Sequence, residues 1–182
     1  MIGLLGGAFD PPHNGHVALL RGAREHLGLD DVLLIVTADP GHKRVETTPE
    51  TRLELVRAAF PGERIVLDDH ARTVDMLRDH PEWEGATFLL GADEYAGFST
   101  WKDPDEVRRL VRVAVGTRPG FPLPADDDRV ACFEIEPVPV SSTELRARLD
   151  RGEDVSELVP EAVWELIERE GLYGRGGYTG DS

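Results

Sequence analysis

Only one of the 182 residues is a cysteine, so no internal disulfide is available and a buried core must hold the chain together. Cys132 sits in the alternating stretch "VACFEIE", which predicts a small apolar core residue rather than a reactive thiol. Long apolar runs are missing too. The longest, "VLLIV" and "LVRVAV", are strand-sized and fall far short of the ~20 residues that cross a bilayer. Positive charge is scarce: 20 lysines and arginines face 35 acids, for a net charge of −15. Such a field repels nucleic acid and anionic membranes, so neither is an expected partner. A small anion can still be gathered by a few local cations and helix starts. The first residues show no basic leader ahead of an apolar segment, which predicts a cytoplasmic address. Two glycine patterns are absent as well. Neither G-x-G-x-x-G nor the Walker pattern follows the first apolar run, which argues against an ordinary dinucleotide-dependent dehydrogenase and against a P-loop NTPase.

What is present is alternation. Ile2 to Phe9 reads as a buried strand, and His13 to about Leu27 as a helix with an apolar stripe at Val17, Leu19, Leu20, Ala23 and Leu27. "DDVLLIVTA" is a continuous apolar run, as expected of a strand covered on both faces. Pro49 to Ala59 predicts a helix with Thr48 as N-cap and proline at its first position. The strands "RIVLDD", "ATFLLGAD", "VRVAVGTR" and "RVACFEIE" follow, interleaved with helices at "TVDMLRDH", Asp105 to Leu110, Ser142 to Leu149 and Pro160 to Glu170. The pattern predicts an α/β fold: a Rossmann-like, doubly wound, mostly parallel sheet with helices on both faces. We expect one domain over residues 1–174 and a flexible glycine-rich tail over 175–182. In such a sheet ligands bind beyond the carboxyl ends of the strands, where the chain reads "GGAFDPPHNGH", "TADPGHK", "LDDHARTVD", "GADEYAGFSTW" and "GTRPG".

The first of these corners is unusual. Gly6 and Gly7 permit close backbone approach, and His13 and His16, three apart at a helix start, share one face. Two imidazoles beside the free N–H groups of a helix start suit a phosphate, and a nearby polyanion favours their protonated form. Capping or surface histidines are the plain alternative, and a metal site using His13, His16 and Asp10 is another, although zinc would need a further ligand from elsewhere. Downstream, Ser141 and Glu144 have capping-box spacing. Ser142, Thr143 and Arg146 also fit a phosphate nest, and the two readings are compatible. Lys43 lies in a loop able to swing over the site. Asp93, at a strand end, can meet a ribose hydroxyl or a metal-bound water, and Trp101 suits either core or lid.

"GGAFDPPHNGH" resembles the first signature of the nucleotidylyltransferase superfamily, HxGH, present as His13-Asn14-Gly15-His16, and "VSSTELR" resembles the second. Within that superfamily the chain is similar, from about residue 2 to residue 172, to the bacterial nicotinate-nucleotide adenylyltransferases. The features that carry this are "GHK" at Gly41 to Lys43, "TVD" at Thr73 to Asp75, "GAD" followed by Trp101, and "TRPG" at Thr117 to Gly120.

The resemblance implies transfer of AMP from ATP to nicotinate mononucleotide, with Mg2+ carried in by ATP. It implies that His13, His16, Lys43 and Arg146 are catalytic. ATP would be bound by Gly6, Gly7, Phe9, His13, His16, Asp93, Arg118, Ser142, Thr143 and Arg146, and the acceptor by Lys43, Thr73, Asp75 and Trp101. It also brings Arg52 near phosphate. The chain departs from the family at Ala8, where threonine is usual, and at Arg72 and Met76, where an aromatic and a threonine are common. Arg72 suits a carboxylate on the acceptor. Rival readings keep the chemistry with nicotinamide mononucleotide or phosphopantetheine as acceptor, make the chain a noncatalytic nucleotide binder, or use His13, His16, Asp68 and Asp69 for metal-dependent hydrolysis. A homo-oligomer is compatible with the composition.

Overall fold

The computed structural model describes residues 1–41, 43–118 and 130–174. Six strands form one sheet: β1 (Ile2–Gly7), β2 (Asp31–Thr37), β3 (Arg64–Asp68), β4 (Thr87–Gly91), β5 (Arg112–Thr117) and β6 (Val130–Glu134). Their order is β3-β2-β1-β4-β5-β6, and every neighbouring pair is parallel. Strand order therefore reverses between β1 and β4, where ligand clefts open in doubly wound sheets. The connecting helices are α1 (Asn14–Leu27), α2 (Pro49–Ala59), α3 (Thr73–Asp79), α4 (Ala92–Ala96) and α5 (Pro104–Leu110), followed by α6 (Ser142–Asp150) and α7 (Glu161–Glu170). The expected α/β class is the observed one.

The four central strands, β1, β2, β4 and β5, are apolar on both faces because each face is covered. Along β1 and β2, Leu4, Leu33 and Ile35 face one core cluster, and Leu5, Val32, Leu34 and Val36 face the other. This is the two-residue alternation of a pleated strand, and it sorts the helices. One cluster takes residues of α1, α2, α6 and α7, the other residues of α3 and α5. No described helix is long and apolar enough to cross a membrane.

Local signals fix several boundaries. Thr48 caps α2 by accepting from the Thr51 N–H at 3.2 Å, with Pro49 at the first helical position, as expected. α1 ends at Gly28 in the left-handed conformation (φ 61°). Three expectations need correcting. β1 ends at Gly7, because Phe9 takes the left-handed conformation (φ 52°), which no strand accommodates. β4 ends at Gly91, and "GAD" runs directly into α4, so Asp93 stands on a short helix. Cys132 is exposed: β6 is the edge strand, and of its five residues only Phe133 is buried. Alternation in the sequence was correct there, but at the sheet edge the face that carries Cys132 is only partly packed: Val130 reaches the core, while Cys132 and Glu134 stay exposed. The expected tail at 175–182 and part of "TRPG", Pro119 and Gly120, lie outside the described residues, as does His42 of "GHK".

Candidate active site

A cleft of about 1070 Å³ opens at the carboxyl ends of the strands, spanning the reversal between β1 and β4. One end is built by the β1–α1 corner. His13 is the N-cap of α1 rather than its first helical residue, and it caps with its ring: Nδ1 accepts from the Gly15 N–H at 3.1 Å. The return bond comes from His16, whose Nδ1 accepts from the His13 N–H at 3.1 Å. This is the geometry of a capping box with imidazoles in place of hydroxyl and carboxylate. It requires glycine at 15, because a Cβ there would lie 2.9 Å from the His13 ring.

The two rings lie against each other, centroids 3.8 Å apart and tilted by 31°. Because each Nδ1 accepts a backbone N–H, each neutral ring carries its proton on Nε2. Two N–H donors are thereby left for the cleft, which both rings line. Burial pushes His13 down to about 4, and His16 is held well below the usual range by burial first, then by the charges of His13 and Lys43. At neutral pH the unliganded pair is uncharged. A polyanion placed beside the rings would oppose that shift and favour their protonated forms.

Phe9 does not line the cleft. It is 2% exposed and lies behind His16, with ring centroids 4.9 Å apart. Its strained φ is held by this packing and by an edge contact to Phe60. The start of α6 closes the same corner. Ser142 Oγ donates to the Pro11 carbonyl at 2.9 Å, and Ser141 caps the helix through the Glu144 N–H at 3.2 Å. Glu144 does not return the bond. Its carboxylate takes Arg148 instead, so the expected capping box is half made. Ser141, Ser142 and Glu144 line the cleft, whereas Thr143 and Arg146 do not. Arg146, 8% exposed, donates to the Asp10 carbonyl at 2.7 Å from behind the corner and lies 3.7 Å from Glu46.

Beneath this end is a buried network that the sequence did not announce. Asp10, 1% exposed, accepts from the Glu46 N–H (2.5 Å), the Thr47 hydroxyl (2.6 Å) and the Tyr173 hydroxyl (2.6 Å). Burial and then Asp10 push the Tyr173 phenol well above its ordinary range, so it stays protonated and donates. Arg52 corrects another expectation. It is fully buried and donates to the carbonyls of Ala8, Thr37 and Ala38, tying the ends of β1 and β2 together away from the cleft.

The other end of the cleft is lined by Thr73 at the start of α3, by Trp101 and Lys102, and by His70 and Arg72 from the β3–α3 loop. Trp101 is half-buried, edge-on to Phe88 and tilted against Phe98. Asp75 does not line the cleft; its carboxylate accepts from Lys102 Nζ at 2.8 and 2.9 Å and from Arg78 at 3.2 Å. His70 was not singled out in the sequence. Its Nδ1 meets Asp68 at 2.7 Å and its Nε2 meets Asp79 at 2.9 Å, and these bonds raise its pKa. Both ring nitrogens can donate only in the protonated form. Between the two ends lie Gly6, Gly7, Asp93, Arg118 and Lys43, the last paired with Glu94 at 3.2 Å. Asp68 is engaged by His70, and no group of three or more His, Cys, Asp or Glu among the described residues could hold a metal ion.

Residues 4–148 match the model of the cytidylyltransferase-like family. A Bordetella avium protein named "probable nicotinate-nucleotide adenylyltransferase" is 37% identical over 94% of this chain and 97% of its own length. A Thermus thermophilus protein of the same name is 39% identical over 94% and 98%. Among solved structures, a Plasmodium falciparum nicotinic acid mononucleotide adenylyltransferase complexed with NaAD superposes with a TM-score of 0.77 at 18% identity. It covers 96% of this chain and 98% of its own, and at that identity it speaks for the fold.

Proposed function

The chain belongs to the cytidylyltransferase-like family and, within it, to the nicotinate-nucleotide adenylyltransferases; from that premise we propose that it transfers AMP from ATP to nicotinate mononucleotide, giving deamido-NAD and pyrophosphate. The observation that carries the reading is the reciprocal cap of His13 and His16, which leaves two Nε2–H donors at one helix start on the wall of a cleft of about 1070 Å³.

The chemistry needs no side-chain nucleophile. The acceptor's 5′-phosphate is already anionic and attacks the α-phosphorus of ATP in line. The bond from that phosphorus to the bridging oxygen breaks, and pyrophosphate leaves. Catalysis then reduces to alignment and to charge stabilisation on the phosphoryl oxygens. His13 positions the reacting phosphates, and His16 donates to the α-phosphoryl oxygens as charge gathers there. Lys43 approaches from the β2–α2 loop after releasing Glu94. Arg146, expected to neutralise pyrophosphate, reaches it only by leaving the Asp10 carbonyl; where it stands, it positions the corner. A magnesium ion carried in with ATP would supply further charge for the leaving pyrophosphate.

An acceptor panel with ATP, scored by product mass and pyrophosphate release, tests the reading. It should contain nicotinate mononucleotide, nicotinamide mononucleotide and phosphopantetheine. Deamido-NAD as the main product is expected. Failure to release pyrophosphate with any pyridine nucleotide would exclude it.

A further inference from the structure

We propose that Arg72 is the specificity-determining residue of the cleft, selecting an acceptor ring that bears a carboxylate over one that bears an uncharged amide. The inference rests on the adenylyltransferase reading above and names the group that decides between its two pyridine acceptors.

The first observation is an imbalance of charge. Lys43, Lys102 and His70 all line the cleft, and each already has a carboxylate partner: Glu94, Asp75, and Asp68 with Asp79. Arg72 lines the same cleft and is exposed, yet its guanidinium donates only to the Ala71 carbonyl at 3.1 Å and meets no carboxylate among the described residues. In a chain with 35 acids and a net charge of −15, a cleft arginine without such a partner is left able to take an anion from the ligand.

The second observation is placement. Arg72 is the N-cap residue of α3, and Thr73 follows it on the cleft wall. The Trp101–Lys102 segment is tied to the first turn of that helix by the two bonds from Lys102 to Asp75. Arg78 ties the same segment further along through Asp103. A flat heterocycle stacked on Trp101 therefore lies beside the start of α3, with its edge within reach of a long side chain at position 72.

The third is that the base of Arg72 is fixed. Two residues earlier, His70 is held from both sides by Asp68 at the end of β3 and Asp79 at the end of α3. The guanidinium itself rests on Gly41, where a Cβ would lie 3.3 Å from Nη1. A planar fork held this way pairs with a carboxylate through two parallel hydrogen bonds. A carboxamide offers it one acceptor oxygen and no charge.

The test is steady-state kcat/KM for nicotinate and nicotinamide mononucleotide, at saturating ATP, in wild type, Arg72→Gln and Arg72→Lys. Wild type should prefer the nicotinate acceptor. Arg72→Gln should reduce that preference ~10- to 100-fold, mainly through the KM of the nicotinate acceptor, and Arg72→Lys should recover part of it by keeping the charge. Three results overturn the inference while leaving the adenylyltransferase reading in place: a preference in Arg72→Gln within about threefold of wild type, an equal loss on both acceptors, or a wild type that favours the amide. A wild type that makes no dinucleotide from either acceptor overturns the reading itself. Calorimetric titration of wild type with each mononucleotide supplies a measurement free of any variant. Tighter binding of the nicotinate form that weakens with added salt supports the ion pair, and equal affinities overturn it.

Discussion

The two ends of the cleft are built by different physics. At the β1–α1 corner the functional side chains are fastened to the backbone: each imidazole spends one nitrogen on a neighbouring N–H, and beneath them Asp10, Tyr173 and Arg52 bind buried carbonyls, hydroxyls and N–H groups. At the α3 end the side chains are long and wet. Lys102, Asp75, Arg78 and Glu106 hold one another through exposed ion pairs, and Arg72 has no carboxylate partner among the described residues. Buried hydrogen bonds fix geometry because leaving one unmade is costly, whereas exposed ion pairs contribute little and rearrange easily. The difference suits the two tasks. In the proposed reaction, phosphoryl transfer needs donors set in place before the transition state, and acceptor choice needs a cation left exposed to take the carboxylate of the ring.

The contrast is sharpest in the effect expected at His16. His16→Ala removes one Nε2–H donor and the return bond to the His13 N–H. We expect turnover to fall by about two to four powers of ten, with the circular dichroism spectrum intact. Wild-type turnover in the folded variant would break the assignment of chemistry to this end. Asp10→Ala should act on stability instead. It strands the Tyr173 and Thr47 hydroxyls and the Glu46 N–H, and should cost about 3–5 kcal/mol in denaturant unfolding. A loss below about 1 kcal/mol would mean that the network is not what holds the corner.

Acid separates the two ends by sign. The folded protein keeps His13 neutral down to about 4, while an unfolded chain protonates it near 6.5. The unfolded state binds the proton first, so as pH falls from 6.5 to 4 this one group removes about 3 kcal/mol of stability, and His16 acts in the same direction. His70 works the opposite way: its raised pKa contributes stability that is full below the unfolded value and is lost as pH rises through the folded one. Proton titrations of the ring signals by NMR check both. His13 and His16 should remain neutral at pH 6, and His70 should titrate above the ordinary range.

A smaller effect is expected at Trp101. Trp101→Ala should raise the acceptor KM about 10- to 100-fold while the KM for ATP moves little, consistent with loss of a stacking surface worth about 1–3 kcal/mol. An equal rise for both substrates would show that the ring belongs to the shared scaffold rather than to one end. The smallest change should come from His70→Gln. It loosens a bridge that is half open to solvent, so stability below pH 6.5 should drop slightly and the alkaline loss attributed to His70 should vanish from the pH profile.

Much of this division was legible in the chain. Continuous apolar strands and the Thr48-Pro49 helix start carry their own boundaries, because caps and two-sided burial are local. The pairing of His13 with His16 was visible for the same reason: three residues at a helix start can only share a face. Other features were hidden. Cys132 alternates like a core residue, and only the sheet order shows that it stands on an edge strand, where it is exposed. Arg52 and Arg146 look like ligand-binding cations in a list of residues, yet both point their guanidinium groups at backbone carbonyls behind the corner. His70 stood in a strand-end stretch already marked for chemistry, but nothing in "LDDHARTVD" says that Asp79, nine residues on, closes the bridge.

Sequence alone therefore determined the class of fold, the strand ends where a ligand must lie, and the helix start that carries two imidazoles, since each follows from periodicity, turn chemistry or spacing within a few residues. Only the tertiary structure decided which cations face the cleft and which are consumed by the scaffold. That choice depends on partners up to 163 residues apart, such as Tyr173 and Asp10, and no local pattern records them.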